Sequence, residues 1–209
     1  MADFLIKTLR QFFLFGRNVA GCLNNPYITY RKIALEKNNL WPTAFITLFS
    51  LAYFEFTGLI RTGFGNPIFL TVKFNSLVLT ASIGFIGCVS LFYLLGKLIK
   101  KTGSFKTLTV LWSYSLLPTL VWFFVTSCLY LILPPPRTMS ILGKIYSVAY
   151  IAFSISLLYW KIILYYLTMR FGLKIEIGKI ILISVGFVAY LGLFAIISYR
   201  LGVFRIPFI

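Results

Sequence analysis

The stretch IILISVGFVAYLGLFAIISY, residues 180–199, carries no charge between Lys179 and Arg200. As an α-helix rising about 1.5 Å per residue it measures about 30 Å, the thickness of a bilayer's hydrocarbon core. Four other stretches share that length and composition. They are residues 40–60, closed by Arg61; residues 74–99; residues 108–133, followed by Pro134, Pro135 and Pro136; and residues 145–169, between Lys144 and Arg170. Composition supports the same reading: 60% of the 209 residues are hydrophobic and 11% charged, against about a quarter charged in soluble domains. A chain of this size cannot bury that much apolar surface in its own interior. The expected fold is therefore all-α, an integral membrane bundle of five transmembrane helices preceded by amphipathic interfacial helices. Residues 1–39 form the interfacial segment and residues 40–209 the five-span domain.

Local signals punctuate the spans. Asn39 with Trp41-Pro42 combines an amide cap, an interfacial aromatic and a first-turn proline. Gly103-Ser104 pairs a helix-ending glycine with a cap for the next helix, and Gly172 and Gly178 frame the last connection.

Twenty Lys and Arg face four acids, a formal charge of +16. Thirteen basic residues flank one side of the predicted spans and six the other. The richer side holds Lys7, Arg10, Arg17, Arg31, Lys32 and Lys37 before the first span. It also holds Lys97, Lys100, Lys101, Lys106, Arg170, Lys174 and Lys179 in two connections. By the positive-inside rule the amino terminus is cytoplasmic and the carboxyl terminus outside, which suits a plasma membrane protein. The basic excess reads as topology plus attraction to anionic lipid headgroups. No basic soluble module is present to bind nucleic acid.

The first 39 residues do not read as a secretory signal, because Lys7, Arg10 and Arg17 interrupt every apolar run. Phe4, Leu5, Leu9, Phe12, Phe13 and Phe15 instead crowd one helix, and Asn25-Pro26 opens a second with Tyr27, Tyr30, Ile33 and Ala34. Both are expected to lie on the cytoplasmic leaflet.

Histidine is absent and Asp3 is the only aspartate, which excludes a Ser-His-Asp triad and His-ligated metals and leaves almost no general base. Cys22, Cys88 and Cys128 have no metal or redox spacing, and no phosphate loop or nucleophile elbow occurs. No enzyme activity and no cofactor are expected.

Within the spans, Glu55 and Lys161 are candidates for an intramembrane polar pair, since ionisable groups at depth face a cavity or a partner. Helix rise separates them by on the order of 13 Å along the membrane normal, and snorkelling of each to its own interface stays open. Ser76, Thr80, Gly84 and Cys88 recur every four residues, a spacing of small residues that lets helices approach closely in lipid. Pro118 should kink the third span and free the carbonyl of Tyr114.

The third span also carries a family pattern: Ser104-Phe105-Lys106, Val110-Leu111, Tyr114-Ser115 and Leu117-Pro118. Together with Asn25-Pro26, Arg31-Lys32-Ile33-Ala34, the Trp160 region, Arg170-Phe171-Gly172 and Ile177-Gly178-Lys179, it resembles the Yip domain family of Ypt/Rab-interacting membrane proteins, in a short prokaryotic form. The resemblance implies an all-helical multipass fold without catalytic residues. Eukaryotic relatives bind small GTPases through a longer cytosolic amino-terminal region. This chain has about 39 residues there, basic rather than acidic, so GTPase binding is not carried over to it.

Two functions fit. One is a non-catalytic membrane protein that organises lipids or partner proteins, with a membrane-protein partner or a second copy of itself as associates. The other is a small transporter, channel or lipid-moving component with a polar path near Glu55, Lys161 and Pro118.

Overall fold

The computed structural model describes residues 2–36, 39–63, 69, 71–99, 103–132 and 141–203. Pro134, Pro135, Pro136, Lys37, Lys100, Lys101, Arg137 and Arg205 lie outside the described residues, as do the side chains of Asp3 and Arg61. Eight helices account for most of the described chain: α1 (Ala2–Asn24), α2 (Pro26–Leu35), α3 (Trp41–Thr62), α4 (Val72–Leu98), α5 (Phe105–Ser115), α6 (Leu117–Ile132), α7 (Ile141–Gly172) and α8 (Ile177–Arg200). No strand occurs among the described residues. Among the described residues, five stretches are long and apolar enough to cross a membrane: α3, α4, α5 with α6, α7 and α8. The bundle is the expected all-α membrane architecture.

Helix ends follow local chemistry with some departures. The Asn39 side chain accepts from the Trp41 N–H at 3.2 Å, so it caps α3 from one residue further out than a standard N-cap. Thr71 caps α4 by accepting from the Phe74 N–H at 3.3 Å. Ser104 occupies the N-cap position of α5 without a side-chain cap bond, and Gly178 lies inside the first turn of α8 rather than ahead of it. Lys174 takes the left-handed turn between α7 and α8, with φ at 56°.

The helix of the third span is interrupted for one residue at Leu116. Helix α5 stops at Ser115, Leu116 closes a tight turn onto the Ser113 carbonyl at 3.0 Å, and α6 restarts at Leu117. Pro118 thus stands in the first turn of a new helix, where its missing N–H costs nothing. The Ser115 hydroxyl donates to the Trp112 carbonyl at 2.7 Å and satisfies one acceptor at the break.

Helix α5 sits at the centre, buried at Leu108 and from Val110 to Ser115, and it packs against α2, α3, α4 and α7. Phe92, Trp112, Tyr165 and Phe187 form one aromatic cluster joining α4, α5, α7 and α8, with ring centroids 4.6–6.4 Å apart. Most outward-facing positions of the spans are large apolar residues such as Leu79, Ile83, Ile155, Leu182 and Val185, as a lipid-facing surface requires.

Candidate functional site

The amino-terminal helices enter the core. Phe15, Cys22, Tyr30 and Ile33 are buried in the same cluster as Leu108, Leu111 and Tyr114 of α5 and Leu164 and Leu167 of α7. Phe12 and Phe15 pack on Phe45, and Phe15 stacks on Phe49 and on Tyr114. Asn18 donates to the Tyr114 hydroxyl at 3.4 Å, and the Trp160 indole donates to the Cys22 carbonyl at 3.1 Å. Gly21 lets the hairpin close, because a Cβ there would stand 2.5 Å from the Thr29 hydroxyl.

The Leu111 carbonyl is the junction of this assembly. It accepts from the Tyr30 hydroxyl at 3.3 Å, and the Thr168 hydroxyl, which donates to the Leu164 carbonyl at 2.8 Å, stands 3.3 Å from it, so α2, α5 and α7 meet at one backbone oxygen. Burial holds the Tyr30 phenol protonated, well above the ordinary tyrosine range, which keeps it a donor. Burial likewise pushes the Cys22 thiol up to about 12. At the same end of the bundle a Cβ on Gly103 would stand 2.2 Å from the Gly172 carbonyl, so the start of α5 and the end of α7 touch backbone to backbone.

Helix α1 has three faces on a 3.6-residue wheel. Phe15, Asn18 and Cys22 enter the bundle. Leu5, Leu9, Phe12, Phe13 and Leu23 form an exposed apolar face, and Lys7, Arg10 and Arg17 form an exposed basic one.

A second polar feature lies between α6 and α7, where three hydrogen bonds cross the interface in antiparallel order. Lys161 donates to the Thr119 hydroxyl at 2.6 Å, the Trp122 indole to Ser154 at 2.9 Å, and the Tyr150 and Thr126 hydroxyls are hydrogen-bonded at 3.1 Å. This seam starts beside Pro118. Of its members, sequence reasoning singles out only Lys161 and Pro118. The missed signal is periodic: Thr119, Trp122 and Thr126 recur on one face of α6, and Tyr150, Ser154 and Lys161 on one face of α7.

Glu55 is half-buried on α3. Contacts of Tyr53 with Phe123 and of Phe56 with Phe124 set it about level with residue 124 of α6, five residues beyond Thr119. That offset is about 8 Å along the axis.

Among the other expected residues, Gly84 and Cys88 are buried on α4, while Ser76 and Thr80 are half-buried. The close approach there is made with α8: the Tyr190 hydroxyl donates to the Gly84 carbonyl at 3.4 Å and lies against Gly87. Gly96 takes the Leu173 side chain in the same manner. Tyr114, Ser115 and Pro118 are buried at the helix break. Ser104, Phe105 and Lys106 are exposed, Phe105 meeting Tyr93 edge-on at 5.5 Å. Lys106 borders a niche of about 20 Å3 with Asn18, Glu36 and Asn39, room for a single water.

The family model of the Yip1 domain matches residues 20–199, from the last turn of α1 to the last turn of α8. The chain belongs to the Yip1 domain family. Members of that family are generally non-enzymatic membrane proteins, and this one is a multi-pass helical bundle. No curated protein and no solved structure matches the chain. In this Yip1 domain the matched segments converge: α2, the α5 motif around Leu111 and Tyr114, and the end of α7 share one core.

Proposed function

We propose that this Yip1 protein is a non-catalytic multi-pass protein of the plasma membrane that organises lipids or partner proteins at the cytoplasmic leaflet. Its amino terminus is cytoplasmic and its carboxyl terminus outside. The observation that carries the reading is the three-faced α1. One face is fixed to the bundle, so the exposed apolar and basic faces are held rigidly at the edge of the protein. An apolar face beside a basic one suits the boundary between acyl chains and anionic headgroups. Each basic residue near such a surface contributes about 1 kcal/mol, so Lys7, Arg10 and Arg17 together give about 3 kcal/mol of preference for an anionic leaflet. Lipid is the partner this surface addresses first; a second copy or another membrane protein would use the same exposed faces.

The test uses full-length protein reconstituted in vesicles of mixed phosphatidylglycerol and phosphatidylcholine, extracted gently, with the co-purifying lipid quantified. Phosphatidylglycerol should be enriched, and the Lys7→Gln, Arg10→Gln, Arg17→Gln triple variant or added salt should remove most of that enrichment. Identical lipid profiles for both proteins would overturn the reading.

The α6–α7 seam favours a second reading, a transport or lipid-moving role, because it places Lys161 inside the bundle next to the Pro118 break. That reading keeps Glu55 and Lys161 as a coupled pair bridged through water. A double-mutant cycle of Lys161→Met and Glu55→Gln in detergent should show strong coupling if it holds, and near-additive effects if each residue acts alone.

A further inference from the structure

Between α3, α4 and α5 lies a groove, open along one side, with a volume of about 210 Å3. Ile46, Leu51, Phe54 and Val78 are among its walls, and Leu116 closes its floor. At the end away from α1, Phe54 packs in a small cluster with Phe74, Val78 and Ala81. At the mouth, Thr47, Ser82 and Ile86 are on the exposed surface.

Depth follows from helix rise. Ile46 and Phe54 stand five and thirteen residues beyond Trp41, so the groove runs from about 7 to about 20 Å past the level of that interfacial tryptophan. Its mouth therefore faces hydrocarbon rather than headgroups or water.

The chemistry of the wall is apolar although serines line it. The Ser50 hydroxyl donates to the Ile46 carbonyl at 2.8 Å, and the Ser113 hydroxyl donates to the Thr109 carbonyl at 2.8 Å and pairs with the Thr43 hydroxyl at 3.0 Å. Those donors are used within the protein, so the groove presents methylenes and aromatic edges to an occupant. A helix about 10–12 Å across is too wide for this space, whereas an acyl chain is narrow and flexible.

We propose that the α3–α4 groove holds one acyl chain of a membrane phospholipid, entering sideways between Thr47 and Ser82. This deepens the lipid-organising reading and rests on it, by naming the part of the lipid that the bundle holds. A groove of this size left unfilled forfeits dispersion contacts along its whole lining, and chains of the surrounding bilayer are in large excess at the mouth.

The experiment places full-length protein in vesicles of phosphatidylcholine carrying a photoactivatable diazirine in mid-chain, and maps adducts by peptide mass spectrometry. Adducts should be several-fold denser on residues 46–54 and 78–86 than around Val185 and Val188, which are equally lipid-facing on α8. Ser82→Phe, at the mouth, should reduce the α3 and α4 adducts several-fold while the melting temperature holds. Thr47→Phe, on the opposite lip, should do the same. Uniform labelling of all lipid-facing helices, or unchanged labelling in both variants, would each overturn the proposal. Phosphatidylcholine has no net charge, so loss of this site leaves the headgroup preference standing, and loss of the headgroup preference leaves this site standing.

Discussion

Replacing Tyr30 by phenylalanine and by alanine separates the two ways in which α2 is held to the bundle. Tyr30 is fully buried and donates to the Leu111 carbonyl at 3.3 Å. Tyr30→Phe removes that one hydrogen bond and keeps the ring, and the Thr168 hydroxyl, bonded to the Leu164 carbonyl at 2.8 Å and 3.3 Å from the Leu111 oxygen, can turn to the freed acceptor. The cost should fall in the ordinary range of about 0.5–1.5 kcal/mol. For a protein of this length, about 1 kcal/mol corresponds to a drop of about 2–4 °C in melting temperature. Tyr30→Ala also removes a buried ring and should cost about 3–5 kcal/mol. Thermal unfolding in a single detergent measures the stability, and trypsin cleavage at the exposed Arg17 and Arg31 reports the hairpin directly. Cleavage should accelerate for Tyr30→Ala well beyond Tyr30→Phe. Adding Thr168→Val to Tyr30→Phe takes away that replacement donor, and the double variant should lose more than the sum of the singles. If Tyr30→Ala melts within about 1 °C of the parent and is cleaved no faster, α2 is not part of the core and the reasoning fails.

Gly103→Ala should destabilise clearly, because its Cβ would meet the Gly172 backbone at 2.2 Å; Gly87→Ala should be milder, since Tyr190 can swing away and give up its bond to Gly84. Gly87 lies inside α4, where alanine would raise stability by about 1 kcal/mol from helix propensity were the space open, so a gain in melting temperature there refutes the close approach. Cys22 should resist N-ethylmaleimide from pH 7 to 9 in the folded protein and react at once after denaturation, because the thiolate is the nucleophile and burial keeps the thiol protonated; rapid labelling of native protein would contradict its burial. A cysteine at Lys174 should be accessible only from the cytoplasm and one at Lys144 only from outside, and the opposite pattern would invert the proposed topology.

The spans were legible because membrane insertion is written in one dimension: an uncharged run between Lys179 and Arg200 already measures its own helix. Pro118 marked the weak point of the third span, but not its form. A lost N–H is cheaper in the first turn of a helix than in its middle, and the hydrogen-bond ladder is interrupted at Leu116, two residues before Pro118. The amphipathic character of α1 was visible in its phenylalanines, whereas its inward face was not, since Asn18 and Cys22 gain meaning only beside Tyr114 and Trp160. Those contacts join residues about a hundred positions apart, beyond the reach of any local pattern. The α6–α7 seam lies between these cases: its periodicity was on the page, but single hydroxyls and indoles inside a span have a bland explanation until a partner faces them.

The central claim is that α1 and α2 are part of the bundle and not a detached basic tail. Hydrogen–deuterium exchange of the full-length protein in nanodiscs tests it most directly, because amides in a frayed segment open at almost no cost while core amides open only with global unfolding. Amides from Phe15 to Ile33 should be protected to the same order as those of α5 around Leu111 and Tyr114. Exchange of that segment at the rate of an unstructured peptide, with α5 still protected, would contradict it.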